Sequence, residues 1–371
     1  MVNVSVADVL LHNIQLYYSP ILVHLGLLGN CLSVCVFFGT KLRRASSSIY
    51  LGALAVSDSG FLVTIFVVWL NMFHVHLFNE QGFCQFFVYL STLCSFLSVW
   101  LVVAFTVERY VAVKYPLRRQ SLCTVARAKV VIIWLTILAV LLSSPVLLFS
   151  GPRTVLTRYG NATLCYLVNG WESWATVYNG IDTVLTFAVP LTIIVIFNTL
   201  IARNLYKLDH IRRTLTIESD VSNEKDARAI RDRMPQTKVT KMLLLVSSAF
   251  LCLNMPSFVL RVIAFYSKYE SPPPWIISAQ QMCNVLFNTS FGINFIFYCA
   301  SGQNFRKEMI RMFTHRPRTG RSRTLIQMAN QGKQYVSDFT RRWSSTKQSS
   351  VDDTQKTDSQ ETQKLPISGE P

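Results

Sequence analysis

A chain of 371 residues has the length of two soluble domains, but 51% of its residues are hydrophobic and only 15% charged. Soluble domains carry roughly 25% charged residues, and with a mean hydropathy of +0.32 this chain cannot hide its apolar surface in water. The net charge of +16 would fit nucleic acid, yet the basic residues flank apolar stretches and form no continuous patch, which excludes that partner.

About 20 apolar residues of helix cross the hydrocarbon core of a bilayer, and seven stretches approach or exceed that length: 18–40, 49–73, 83–113, 129–150, 176–204, 240–266 and 275–299. The predicted fold is an all-α membrane bundle of seven helices over 18–299, behind a short outer segment, 1–17. Of the 36 Lys and Arg, only Arg153, Arg158, Arg261 and Lys268 fall on the predicted outer side. Because basic residues are retained in the cytoplasm, the N-terminus is expected outside and the C-terminus inside. The first residues show neither a basic n-region nor a cleavage site, so helix 1 is expected to act as its own insertion signal.

Residues 206–239 are polar and mixed in charge and read as a cytoplasmic loop with helical extensions at its ends. Over 300–313, Phe305, Met309, Met312 and Phe313 alternate with Arg306, Lys307 and Arg311, the pattern of an amphipathic helix 8 lying on membrane lipid. Residues 314–371 are rich in Ser, Thr, Gln and Asp, and cannot bury a core. This tail is expected to be disordered, with Ser344, Thr346, Ser349 and Thr354 among its phosphate acceptors.

Of nine cysteines, Cys84 at the start of helix 3 and Cys165 between helices 4 and 5 lie on the oxidising side, where a disulfide persists. Their spacing alone leaves the pairing open. Asn3-Val4-Ser5 and Asn161-Ala162-Thr163 are glycosylation sequons on the same side, whereas Asn288-Thr289-Ser290 falls inside helix 7 and is read as a chance match.

Charges within spans are costly and mark function by default. Asp58 lies mid-helix 2, Glu108-Arg109-Tyr110 closes helix 3 at its cytoplasmic edge, Asp182 lies in helix 5 and Arg261 in helix 6. An adjacent acid can hold the Arg109 guanidinium until a partner competes for it; an ordinary interfacial pair is the alternative. Arg261 presents a fork of donors suited to a carboxylate or a carbonyl-terminated amide, and Asp182 can accept from a basic or amide group. The two can also simply pair with each other, or Arg261 can meet Glu172 or Glu270.

These residues stand in a sequence that resembles the rhodopsin-like G-protein-coupled receptors over nearly all of 18–313. Each helix carries an anchor: Gly29-Asn30, the Leu-Ala-x-x-Asp run ending at Asp58, Cys84 with Glu108-Arg109-Tyr110, Trp134, Pro190, Phe250 with Pro256, and Asn294 to Tyr298. The 24 positions from Cys84 to Glu108, about 36 Å of helix at 1.5 Å per residue, put one at each membrane face. The resemblance implies a Cys84–Cys165 disulfide. It also implies engagement of a heterotrimeric G protein by Arg109, with Glu108, Tyr110 and Tyr298 beside it, when helix 6 swings outward. Asp58, Ser98 and Asn294 would form a sodium pocket favouring the inactive state, and the tail would serve a receptor kinase and arrestin. No other cofactor and no enzymatic activity is implied.

Three positions depart from the family pattern. Helix 6 reads Leu253-Asn254-Met255-Pro256, with an amide where an aromatic toggle is usual. Helix 7 reads Asn294-Phe295-Ile296-Phe297-Tyr298, without the usual proline. Asn198 stands where helix 5 usually has a tyrosine. These changes put the usual switch geometry in doubt and leave the fold assignment intact.

The position at which amine receptors carry an Asp is Ser91, and the position of the retinal-binding Lys of opsins is Asn288, which disfavours both ligand classes. The expected ligand-binding set is Arg261 and Asp182 with Gln85, Ser91, Thr92, Tyr178, Gln281 and Asn288. Such a charged, amide-rich mouth suits a small, amidated neuropeptide from the extracellular side. The run Ser95 to Trp100 and the pair Tyr115-Pro116 resemble arthropod neuropeptide receptors of the CNMamide type, related to thyrotropin-releasing-hormone receptors. A small-ligand or lipid-activated receptor is the runner-up, and a secondary transporter is a further alternative. A transporter would be expected to show an internal repeat, and none is visible.

Overall fold

The computed structural model describes residues 6–157, 160–218, 244–263 and 273–314. Helix α1 is built from Val6–Asn13, a π-helical turn at Ile14–Tyr18 and Ser19–Gly39. Helix α2 spans Ser46–Leu70 and tightens into a 3-10 turn at Asn71–Phe73, and α3 spans Phe83–Lys114. A short helical turn, Arg119–Leu122, precedes α4 at Val125–Ser143, which one further turn at Val146–Phe149 extends. Helix α5 comprises Glu172–Thr183, a π-helical turn at Val184–Ala188 and Val189–Glu218. Helix α6 spans Leu244–Ile263, α7 consists of Pro274–Gly292 and Asn294–Ser301, and α8 is Gln303–Phe313.

Six of these, α1 to α6, are long and apolar enough to cross a membrane. The seventh is divided at Ile293 into pieces of 19 and 8 residues. All seven predicted spans are therefore present as helices. The chain is a multi-pass membrane protein whose described residues form a helical bundle.

Two elements differ from the sequence reading. Helix α1 starts at Val6, inside the stretch expected to form an outer segment, because Leu11 finds a buried position and the added turns pack beside α7. Between α4 and α5 the chain forms a hairpin, β1 (Ser150–Thr157) antiparallel to β2 (Gly160–Leu167), with Pro152 opposite Cys165. The Cys84–Cys165 disulfide ties β2 to the first turn of α3 across a Cα–Cα distance of 5.5 Å. Asn79 Oδ1 accepts the Cys165 N–H at 3.0 Å, so the strand is held beside the disulfide as well as through it. Asn161 is exposed on this hairpin; Asn3 and the tail from 315 lie outside the described residues, as does most of the predicted loop between α5 and α6.

Helix α3 sits centrally, touching α2, α4, α5 and β1, and its apolar residues Val99, Leu101, Val102 and Phe105 are fully buried. Helix α4 faces outward, with Trp134 67% exposed, as lipid contact requires. Helix α8 buries Phe305 against Phe37 and Tyr298, with ring centroids 5.1 and 5.6 Å away. Its Arg306, Lys307 and Arg311 remain exposed or half-exposed on the other face, as its amphipathic pattern predicts.

Prolines leave backbone carbonyls without partners, and in a membrane such groups are costly. Two are satisfied by the same device. Pro20 follows the π-turn of α1, and Trp69 Nε1 of α2 donates to the freed Leu16 carbonyl at 3.2 Å. Pro190 follows the π-turn of α5, where the Val189 N–H already bonds the Val184 carbonyl. In that register the missing Pro190 N–H would have served Leu185, and Trp100 Nε1 of α3 donates to the Leu185 carbonyl at 3.0 Å.

Candidate functional site

Three polar clusters lie along the bundle. At the disulfide end, Asp182 and Arg261 approach to 3.6 Å, with their side chains 20% and 33% exposed. The separation is long for a charge-assisted bond, which runs about 2.7–2.9 Å, and both partners have other contacts. Asp182 Oδ1 accepts from Thr186 Oγ1 at 2.9 Å, and the Arg261 guanidinium lies 4.9 Å from the Phe187 ring centroid, within cation–π range. Of the pairings that the sequence leaves open, the structure shows the one between Asp182 and Arg261.

The pair lines a cavity of about 280 Å³ together with Ser91, Thr92, Ser95, Asn284 and Asn288. Five of the eight sequence-predicted ligand residues are thus brought together: Arg261, Asp182, Ser91, Thr92 and Asn288. The other three are placed elsewhere. Gln85 Oε1 accepts the Gly82 N–H at 2.8 Å and so caps the start of α3, where Gly82 takes φ +87°. Tyr178 turns toward α4, donating to the Leu142 carbonyl at 3.2 Å and packing edge-on against Phe149. Gln281 is half-buried and absent from the described lining. Both Gln85 and Tyr178 are local structural residues, since each has a nearby backbone group that needs a partner. Ser95 and Asn284 were missed, although each lies four residues from a named lining residue, one helical turn away.

In the middle of the bundle, Ser98 Oγ donates to Asp58 Oδ1 at 2.7 Å and Asn294 Nδ2 donates to Asp58 Oδ2 at 2.7 Å. Asp58 is fully buried. With two neutral donors and no cation beside it among the described residues, a carboxylate in a low-dielectric core lacks a balancing charge. The oxygens gathered here, carboxylate, hydroxyl and amide, are hard donors that fit a small hard cation. Nearby, Asn30 Nδ2 donates to the Phe291 carbonyl at 3.0 Å. Ser57 Oγ donates to the Cys94 carbonyl at 2.8 Å. The Tyr298 hydroxyl is buried without a partner among the described residues, and its ring meets Phe37 edge-on at 5.3 Å.

Helix α7 bends here without the usual proline. Asn30 takes the Phe291 carbonyl, and Gly292 lets α7 approach α1 so closely that a Cβ would lie 2.6 Å from Leu22 Cδ1 and 3.6 Å from Gly26 Cα. Competition for a backbone acceptor beside a glycine is a recognised cause of a kink. Phe295 itself packs on Gly29, whose added Cβ would sit 2.8 Å from Phe295 Cβ, so the side chain that replaces proline fills the α1–α7 seam.

At the opposite end, Arg109 Nη2 donates to Glu108 Oε1 at 2.5 Å, and Ser46 Oγ of α2 donates to the same oxygen at 2.9 Å. Ser46 Oγ also lies 3.2 Å from the Cys123 carbonyl. Arg109 is buried, and its Nε has no partner among the described residues. Burial, and then the Glu108 carboxylate, push the Cys123 thiol above its ordinary pKa, which keeps this intermediate-exposure thiol protonated. Tyr110 packs edge-on against Phe197 at 5.0 Å and is not part of the Glu108 network. Asn198, in the place of the usual tyrosine, accepts from Ser247 Oγ of α6 at 3.0 Å, so an α5–α6 polar link exists with different chemistry. Ser46 and Ser247 were missed by sequence reading: serines carry no signal until their neighbours are placed.

Residues 29–304 match the profile of the seven-transmembrane receptor family of rhodopsin type. Among reviewed relatives, the thyrotropin-releasing hormone receptor of Gallus gallus is 27% identical over 302 residues, covering 76% of this chain and 74% of that protein. The growth hormone secretagogue receptor type 1 of Homo sapiens is 27% identical over 350 residues, 85% of this chain and 86% of that protein. A Gq-coupled rhodopsin of Mizuhopecten yessoensis is 27% identical over 307 residues, 80% of this chain but only 59% of that protein. With three polar clusters aligned along a seven-helix bundle and a family match over most of its length, the chain belongs to the rhodopsin family of seven-transmembrane receptors.

Proposed function

We propose that the chain is a plasma-membrane receptor for a small, amidated peptide, with its N-terminus outside and its C-terminus inside, signalling through a heterotrimeric G protein. The observation that carries this reading is the loose Asp182–Arg261 pair lining a polar cavity at the disulfide end. A charged pair 3.6 Å apart and partly exposed can re-form around a ligand: Arg261 toward a carbonyl-terminated group and Asp182 toward a donor. Two relatives are named as receptors for thyrotropin-releasing hormone and growth hormone secretagogues, which supports a peptide class. The likeness to a rhodopsin does not extend to retinal, because Asn288 has no amine to form a Schiff base. The narrower resemblance to arthropod CNMamide receptors stands as a proposal of the same kind.

Agonist binding would shift the population between two packings of the bundle, freeing Arg109 from Glu108 for the G protein as α6 moves outward. Asp58, Ser98 and Asn294 would hold sodium in the resting packing. The Ser/Thr-rich tail would take phosphate from a receptor kinase and present it to arrestin. The test is Arg261→Ala in cells presented with an amidated-peptide library. Potency of any active peptide should fall at least tenfold with surface expression intact, and unchanged potency would remove Arg261 from the site.

A further inference from the structure

None of the described histidines takes part in the three polar clusters, yet two of them lie only one residue apart. His74 and His76 stand in the connection between α2 and α3, at the disulfide end of the bundle. Their rings meet edge-on with centroids 6.2 Å apart. Both are exposed, and neither ring nitrogen has a hydrogen-bond partner among the described residues. The backbone holds the pair from both sides. Helix α2 ends with the Val75 N–H on the Leu70 carbonyl and the His74 N–H on the Asn71 carbonyl, each at 3.2 Å, the paired closure that puts the residue after a helix in the left-handed region. Glycine is usual there, but His74 fills the place at φ +61° and is the one non-glycine at positive φ among the described residues. Val75 then extends into a 3-10 turn at His76–Asn79, which Asn79 ties to β2 through the Cys165 N–H. From Asn71 to Phe83 the sequence carries no Lys or Arg, so no fixed cation of this connection competes with a metal ion.

We propose that His74 and His76 together bind one divalent ion of the zinc class. Neutral imidazole nitrogens suit Zn²⁺, Cu²⁺ and Ni²⁺, whereas Ca²⁺ and Mg²⁺ take oxygen ligands. With Zn–N bonds of about 2.0–2.1 Å, two imidazoles on one tetrahedral ion have centroids about 5 Å apart. The pair at 6.2 Å therefore closes by about 1 Å on binding, a movement open to two rings that no hydrogen bond restrains. No third His, Cys, Asp or Glu joins them among the described residues; the remaining two positions are left to water or to a donor from a bound molecule. The ion links the turn that closes α2 to the 3-10 turn fastened to β2, and so stiffens the connection from α2 to α3. This site is separate from the Asp182–Arg261 pair and does not depend on the class of ligand bound there.

The test uses the purified full-length chain in detergent, carrying an epitope tag that contains no histidine. Zinc chloride at a tenfold excess over the dissociation constant should raise its thermal midpoint by about 3–6 °C. Equilibrium dialysis should find one more zinc ion per chain than on the double variant His74→Gly with His76→Asn. The single variant His74→Gly separates the ring from the backbone, because glycine suits the left-handed conformation and only the imidazole is lost. Its zinc-free midpoint should be no lower than that of the unaltered chain, while its zinc affinity falls at least tenfold; His76→Asn should lose affinity to the same degree. Calcium or magnesium chloride should leave the midpoint where it was. A zinc response that survives in the double variant would mark adventitious binding elsewhere and overturn the site, as would the lack of any zinc response in the unaltered chain.

Discussion

Replacing Trp100 by Phe removes one donor and little else, so it tests whether the proline-freed carbonyl of α5 needs its indole partner. The ring stays in place beside Phe96, but the Leu185 carbonyl, which Trp100 Nε1 meets at 3.0 Å, is left without a donor in a region that water does not supply. Leaving a buried acceptor unsatisfied costs about 1–3 kcal/mol. For a domain of this size each kcal/mol moves the unfolding midpoint by about 2–4 °C, so Trp100→Phe should lower the midpoint of detergent-solubilised receptor by roughly 2–12 °C. Trp134→Phe is the control: its indole is 67% exposed and makes no hydrogen bond among the described residues, and its midpoint should move much less. Pro190→Ala completes a double-mutant cycle. It restores an N–H at the position that, in the π register, faces Leu185, so in that background Trp100→Phe should cost at most half as much. Additive losses in the two variants, or equal midpoints for the Trp100 and Trp134 substitutions, would refute the claim that Pro190 and Trp100 act as a pair.

Ser46→Ala should raise agonist-independent nucleotide exchange on a reconstituted G protein about fivefold. It removes the 2.9 Å bond that steadies Glu108, worth about 1 kcal/mol, and unchanged basal exchange would show that Glu108 needs no such support. Gly292→Val should destabilise the receptor by about 1–3 kcal/mol through overpacking against Leu22, since even a Cβ would come within 2.6 Å of Leu22 Cδ1. Leu22→Ala in the same chain should recover part of the lost thermal midpoint, and a lack of recovery would place the strain elsewhere. Sodium chloride in place of choline chloride should raise the midpoint of the unaltered receptor, through a stabilisation of about 1.4 kcal/mol at a tenfold excess over the dissociation constant. Asp58→Asn should abolish that sodium dependence, and a cation effect surviving the substitution would move the ion away from Asp58.

The spans were legible because seven apolar runs and the distribution of Lys and Arg are averages over many residues, insensitive to any one contact. Asp58, Arg109 and Arg261 were legible for the opposite reason: a single charge inside an apolar run is costly enough to stand out alone. What could not be read was the division of labour among uncharged polar residues. Gln85 and Tyr178 have the right chemistry for a ligand, but a helix start and the Leu142 carbonyl lie closer. Ser46 and Trp100 gain their roles from partners 62 and 85 residues away in sequence. The start of α1 was misplaced for a related reason. The stretch from Val6 to Tyr18 is only partly apolar, and its helical state depends on packing beside α7 and on Trp69 satisfying the carbonyl before Pro20.

Two of the three departures from the family pattern share one physical logic. A bend in α7 requires a carbonyl released from the helical ladder and room for the chain to turn; proline supplies the first by lacking an N–H, whereas here Asn30 draws the Phe291 carbonyl aside and Gly292 supplies the room. A link between α5 and α6 requires a donor and an acceptor, and Ser247 with Asn198 provide both without a tyrosine. At Asn254 the substitution is of another kind. Its Nδ2 donates to the Phe250 carbonyl at 2.7 Å, one turn before it, while its Oδ1 is buried without a partner among the described residues. An aromatic ring at that place would work by volume, moving its neighbours as it rotates; an amide with a free acceptor works by hydrogen bonding, and its lowest-energy arrangement is one that gives the acceptor a donor. The described packing does not provide that donor, so any rearrangement of α6 that does so gains the free energy of one buried hydrogen bond, about 0.5–1.5 kcal/mol, in favour of the new packing. The loss of the aromatic toggle thus leaves α6 biased by polarity instead of by shape.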